Sequence, residues 1–256
     1  MIRWLCVLLM MATSAGAETL RLAVTTSFAN SGLADVLLPE IAEDTGIEVQ
    51  LLVVGTGQAL RLGAAGDVEA VLVHARAAEE QFVADGHAPY RREIMYNDFV
   101  IVGPGVDPAG VGGAPVAVDA FRAVAEAEVD FVSRGDASGT HQAERRLWAA
   151  AGVEPEGVWY KETGSGMGAA LNTAAELGAY TLTDRATWLS FGNRRGLALL
   201  FEGDPALFNQ YAYLPVRGEA ALVLEGWLTS ARARALIDGY RIGGEQLFTF
   251  NAEPLQ

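Results

Sequence analysis

Cysteine is nearly absent: the one example in 256 residues is Cys6, inside an apolar N-terminal stretch. A disulfide within the chain and a cluster of thiolate metal ligands are thereby excluded. Lysine is as scarce, with Lys161 alone, and the histidines are three, His74, His87 and His141. Positive charge is in the minority: 18 Lys plus Arg face 32 Asp plus Glu, a net charge of −14. Such a surface repels nucleic acid and anionic lipid, and no basic run with interleaved aromatics reverses this, so no nucleic-acid partner is expected. It also repels a small anion at long range, so any anion site has to act through short-range donors. Repeats, low-complexity tracts and coiled-coil heptads are missing as well.

What is present begins with an export signal. Met1-Ile2-Arg3, the apolar stretch from Trp4 to Ala12 and then Ala15-Gly16-Ala17 read as a secretory signal peptide over residues 1–17, cut after Ala17 and too short for a membrane span. A soluble periplasmic protein is expected. Hydrophobic residues make up 51% of the chain, enough for one large core or two smaller ones.

Strand-like runs at Leu20–Val24, Val49–Val54, Ala70–Val73 and Asp98–Val102 alternate with helical patterns at Leu33–Glu43, Gln58–Ala65 and Ala75–Asp85. This βαβ rhythm predicts an α/β fold with mostly parallel sheets and helices on their faces. After the turn residues Gly103-Pro104-Gly105 the rhythm restarts: helices near Val118–Glu126, Thr140–Ala151 and Met167–Leu177, strands at Asp130–Ser133 and Ala179–Thr183. The chain then returns through a strand at Gln210–Val216 and helices at Ala220–Ser230 and Ala233–Tyr240. Two lobes follow, lobe I from 18–102 plus 212–256 and lobe II from 103–211, with a ligand cleft between them.

Four strand-to-helix junctions carry Gly, Ser and Thr. They are Val24-Thr25-Thr26-Ser27, Gly55-Thr56-Gly57, Ser133 to His141, and Gly164-Ser165-Gly166-Met167-Gly168. The N–H groups of a helix's first turn have no intrahelical partner and carry the positive end of the dipole, so each junction can present donors to an oxyanion. Any one of them alone reads first as an ordinary turn and cap; four in one chain favour an anion site. Arg134 adds a permanent charge and a planar fork of donors, and Asp136 is close enough to brace it.

These segments, with Val71-Leu72-Val73-His74-Ala75, Met95-Tyr96-Asn97-Asp98-Phe99-Val100 and Tyr180-Thr181-Leu182-Thr183-Asp184-Arg185, resemble the Tup-type tungstate-binding solute receptors of bacterial tungstate ABC importers over nearly the whole exported chain. The resemblance implies a two-lobed type II periplasmic binding protein, two mixed sheets with flanking helices, that captures tungstate and delivers it to a membrane permease driven by an ATPase. It implies ligand contacts at Thr26, Ser27, Thr56, Arg134, Ser138, Gly139 and Thr140, with Ser165, Gly166 and Gly168 as a fourth contributor, and supporting roles for Asp136 and His141. No cofactor, no cation-binding metal site and a monomer are expected. Val24 stands where the family usually has a threonine, and without a hydroxyl it makes no ligand contact. Asn30 stands where the family has an aspartate.

Tungstate near neutral pH is a dianion with four acceptor oxygens and no proton, whereas phosphate often carries one, so a site of donors alone favours tungstate. Molybdate, alone or with tungstate, is the alternative ligand, since the two match in size and charge. The alternative from another class is a secreted α/β hydrolase using Ser138 and His141. The spacing His141-x-x-Glu144 suits a metal, but a structural role for the three histidines is the simpler reading, with His141 lining the cleft. Trp148, Trp159, Tyr160, Trp188 and Trp227 read as packing residues rather than a sugar-stacking platform.

Overall fold

The computed structural model describes residues 18–253, so the expected leader and its cleavage site lie outside the described residues. The first half runs β1 (Glu18–Thr25), α1 (Thr26–Asn30), α2 (Leu33–Thr45), β2 (Ile47–Val54), α3 (Thr56–Ala65), β3 (Ala70–Val73) and α4 (Arg76–Ala84). A long strand, β4 (Arg92–Pro104), leads into α5 (Ala117–Glu126), β5 (Phe131–Ser133), α6 (Gly139–Ala151), β6 (Tyr160–Glu162) and α7 (Met167–Leu177). Next come β7 (Thr181–Asp184), α8 (Arg185–Ser190), β8 (Leu197–Phe201) and β9 (Phe208–Pro215). The chain closes with α9 (Glu219–Leu228), α10 (Ala231–Gly239), the hairpin β10 (Arg241–Ile242) and β11 (Glu245–Gln246), and β12 (Thr249–Phe250).

One sheet has the order β12-β4-β9-β3-β1-β2. Its β2, β1 and β3 are parallel, with Leu20 opposite Val49 and Val24 opposite Leu72, as expected of strands joined by helices. β9 and β12 run antiparallel to their neighbours. The second sheet is built on β4 again, flanked by β7 and β8, with β5 bridged to Tyr180 and paired to β6. β4 changes partner between Asp98, which faces Phe208 of β9, and Phe99, which faces Asp184 of β7. A single strand is thus a member of both lobes.

Both sheets are covered on both faces, which explains their near-continuous apolar strands. Phe28, Leu37, Ile41, Leu72, Ile94, Tyr213, Leu224 and Ile237 form a core between the first sheet and α2, α9 and α10. Ala59, Val71, Val73, Phe82 and Leu214 pack the opposite face under α3 and α4. In the second lobe Phe121, Phe131, Leu147, Trp148 and Leu182 lie under α5 and α6, while Val100, Val132, Met167, Leu171 and Trp188 lie under α7 and α8. Trp148, Trp188 and Trp227 are buried, and the Trp148 indole N–H donates to Glu144 at 3.2 Å.

The sheets are mixed rather than mostly parallel, since β4, β7, β8, β9 and β12 pair antiparallel, and several segments differ from the sequence reading. The strand expected at Asp98–Val102 starts six residues earlier, because Arg92, Glu93 and Asn97 interrupt its apolar pattern while β9 and β12 satisfy its backbone. Gly103-Pro104 is not a turn but the end of β4; the glycine is required because the Tyr180 ring lies across it, where an added Cβ would come within 2.5 Å. α8 and β8 were not foreseen: six residues are too few for helical periodicity, and α8 depends on its cap, Asp184, which accepts from Thr187 N–H at 2.9 Å.

Candidate functional site

All four Gly/Ser/Thr junctions lie where a strand or turn hands over to a helix. At the first, Thr25 is the N-cap of α1; its Oγ1 accepts from Phe28 N–H at 3.4 Å and lies 3.0 Å from Ser27 Oγ. Ser27 is buried, while Thr26 is half-buried with its side chain outside that pair. At the second junction Thr56 opens α3, and its hydroxyl is fully buried without a hydrogen-bond partner in the protein.

At the third junction Ser138 caps α6, its Oγ accepting from His141 N–H at 3.1 Å. Gly139 and Thr140 form the first turn, and the Thr140 hydroxyl is likewise buried and partnerless. Arg134 is buried among them. Its Nη2 donates to Asp136 Oδ2 at 2.5 Å and its Nε to the Ser165 carbonyl at 3.2 Å, while Asp136 Oδ1 accepts from Ser138 N–H at 3.1 Å. Asp136 therefore turns both carboxylate oxygens to the protein, one of them to the guanidinium. At the fourth junction Ser165 holds Arg134 through its backbone and turns its hydroxyl to Thr163 at 2.8 Å; Gly166 is exposed and Gly168 half-buried at the start of α7.

The lobes bring these junctions face to face. A Cβ added to Gly57 would lie 3.4 Å from the Cβ of Ala137, so the N-termini of α3 and α6 meet across the seam. A Cβ on Gly139 would reach within 2.8 Å of the His74 ring, so only glycine permits that approach. Helix starts carrying positive partial charge, one guanidinium and two unsatisfied hydroxyls thus share one buried neighbourhood. It can hold an anion by donation alone.

Several residues of this neighbourhood were read from sequence as structural or not singled out. His74 directly follows β3; its Nε2 lies 2.9 Å from Ser27 Oγ and its Nδ1 2.8 Å from Asn209 Oδ1. Burial and, less strongly, the charge of Arg134 push its pKa down to about 4, so the ring is neutral at pH 7. Asn209 Nδ2 donates to Asn97 Oδ1 at 2.6 Å, joining β9 to β4 beside the point where β4 changes sheets. The Tyr211 ring lies tilted by 30° against His74, centroids 4.6 Å apart, and its hydroxyl donates to Ser27 Oγ at 3.4 Å. Asp184 is fully buried, which raises its pKa, with the Thr187 bonds and Arg134 acting against that rise. The one available signal for His74 was its place at the C-terminal end of an all-apolar parallel strand, where α/β folds bind ligands.

The side chains of Ser138 and His141, the pair that the hydrolase alternative needs, do not meet. Ser138 takes the backbone N–H of His141, and the His141 ring turns instead to Ser133 Oγ at 3.2 Å and Glu144 at 3.8 Å, whose carboxylate raises its pKa. Glu144 itself is buried and accepts from Ser133, Trp148 and Tyr160.

The PBP superfamily domain matches residues 12–237. A tungstate-binding protein TupA of Peptoclostridium acidaminophilum is 45% identical over 243 residues, covering 90% of this chain and 85% of the relative. The solved tungstate-binding protein TupA from Desulfovibrio alaskensis G20 has a TM-score of 0.80 and 43% identity, covering 93% of this chain and all of the other. The structure described as the tungstate ABC transporter from Geobacter sulfurreducens gives 0.81 and 46%, over 87% and 99% of the two chains. With a two-lobed α/β fold, a site made of donors at the seam and relatives this close over nearly their whole length, the chain belongs to the PBP superfamily and, within it, to the TupA family of tungstate-binding proteins.

Proposed function

We propose that this protein captures tungstate between its lobes and delivers it to the permease of an ABC importer driven by an ATPase. The observation that carries the reading is the pair of partnerless buried hydroxyls, Thr56 and Thr140, at opposed helix N-termini beside Arg134. A buried donor without a partner costs about 1–3 kcal/mol, so two in one place mark a site that a ligand completes. The contacts are assigned to Thr26, Ser27, Thr56, Arg134, Ser138, Gly139 and Thr140, with Ser165, Gly166 and Gly168 closing the fourth side and Asp136 and His141 in support. The lobes, expected as 18–102 plus 212–256 and as 103–211, are taken to hinge where β4 passes from β9 to β7, between Asp98 and Phe99. The protein works as an exported monomer without catalysis.

Six to eight charge-assisted bonds at about 1.5–3 kcal/mol each can supply the roughly 12 kcal/mol of nanomolar binding after desolvation and closure are subtracted. Calorimetric titration of the exported chain, freed of ligand, with tungstate, molybdate, sulfate and phosphate tests the reading. Tight tungstate binding with silence toward sulfate and phosphate is expected. Equal binding of molybdate would widen the function to both metal oxyanions, and silence toward all four would refute it.

A further inference from the structure

Ser27 sits between the candidate anion site and a buried side-chain chain that runs Ser27, His74, Asn209, Asn97. The direction of hydrogen donation along this chain decides what Ser27 can offer. A serine hydroxyl has one hydrogen. If His74 Nε2 is bare, it competes for that hydrogen; if Nε2 carries the proton, Ser27 Oγ accepts from the ring and its own hydrogen is free.

In the present arrangement Asn209 turns its carbonyl to His74 Nδ1 and its amide nitrogen to Asn97 Oδ1, which leaves Asn97 Nδ2 buried with no partner. An amide's oxygen and nitrogen are nearly equal in size, so turning both side chains by 180° keeps every contact and reverses every role. Asn97 Nδ2 then donates to Asn209 Oδ1, Asn209 Nδ2 donates to His74 Nδ1, and the orphan becomes a carbonyl, which is less rare in proteins than an orphaned N–H. The neutral ring has one proton to place, and it falls on Nε2. Thr25 Oγ1 already accepts from Phe28 N–H, and an ionised oxygen is the stronger acceptor, so the Ser27 hydrogen goes to the anion.

We propose that His74 is a positioning residue for specificity: held as the Nε2–H tautomer by Asn209 and Asn97, it makes Ser27 an obligate donor to the oxyanion, so that Ser27 cannot accept the proton of hydrogen phosphate. The inference rests on the tungstate reading and deepens it. Tyr211 tilted against one face of the ring and Gly139 close to its edge hold the imidazole in place.

The test is a long-range proton–nitrogen correlation spectrum of the full exported chain, labelled with ¹⁵N-histidine and saturated with tungstate. A protonated Nε2 with a bare Nδ1 on His74 is expected. A bare Nε2, or protons on both nitrogens, would overturn the tautomer assignment. Failure of the wild-type protein to bind tungstate would instead defeat the functional reading. As a second arm, His74→Gln keeps an N–H for Ser27 and should retain the exclusion of phosphate, whereas His74→Leu should bind phosphate at least tenfold more tightly than wild type in competition with tungstate. No gain of phosphate binding in the leucine variant would overturn the specificity role.

Discussion

Thr56 and Thr140 separate ligand chemistry from folding chemistry, because neither hydroxyl serves the protein. Thr→Val at either position keeps the branched shape and removes the donor. We expect tungstate affinity to fall roughly tenfold to a hundredfold, as loss of a charge-assisted bond of about 1.5–3 kcal/mol implies. The stability of the ligand-free protein in urea should stay level or rise, since a buried unsatisfied group is relieved. Unchanged affinity would remove both residues from the site. Arg134, Ser138 and Thr140 were legible in the sequence because their spacing within a single turn carries the chemistry. His74, Asn209 and Asn97 were not: they come from three distant segments and become neighbours only through the strand order β4-β9-β3.

At the level of elements, the Gly103 contact makes β4 sensitive to one methyl group. Gly103→Ala drives a Cβ into the Tyr180 ring and against Leu200, and overpacking of this kind costs about 1–3 kcal/mol. A matching loss should appear in equilibrium unfolding. β1, interior to the first sheet, is fastened differently. Glu69, just before β3, accepts from the Arg21 backbone and guanidinium and from Arg217, and the Arg21 bonds hold its carboxyl down to about 2. Because the folded pKa lies below the ordinary value of 4.5, the stabilisation is full above that pH and disappears as pH falls toward 2. The gap in urea midpoint between wild type and Glu69→Gln should therefore close across that window; a gap constant with pH would exclude the ionic origin. Long periodic helices such as α2 and α6 were readable from pattern, whereas α8 is stabilised by an aspartate cap and β8 by its pairing with β4, neither of which a local pattern reveals.

For the molecule as a whole, a net charge of −14 opposes the approach of a dianion that the closed site then holds. Salt should accordingly speed capture: the association rate of tungstate in stopped flow is expected to rise between about 10 and 150 mM ionic strength, as the Debye length shrinks from roughly 30 to 8 Å. A rate that falls with salt would mean that the cleft's own field outweighs the total charge. The two-lobed plan was visible in the restart of the βαβ rhythm, but the sharing of β4 by both sheets was not, since a strand that changes partners keeps an unbroken sequence pattern. The seam between Gly57 and Ala137 has a further consequence. Their Cβ positions, 3.4 Å apart, are near the spacing of about 3.8 Å that a disulfide adopts, and the described residues contain no cysteine. Gly57→Cys with Ala137→Cys would place a latch across the mouth: oxidised around its cargo, the protein should shed tungstate at least a hundredfold more slowly, and a reductant should restore the native rate. Release would then be timed by a thiol reagent rather than by the transporter.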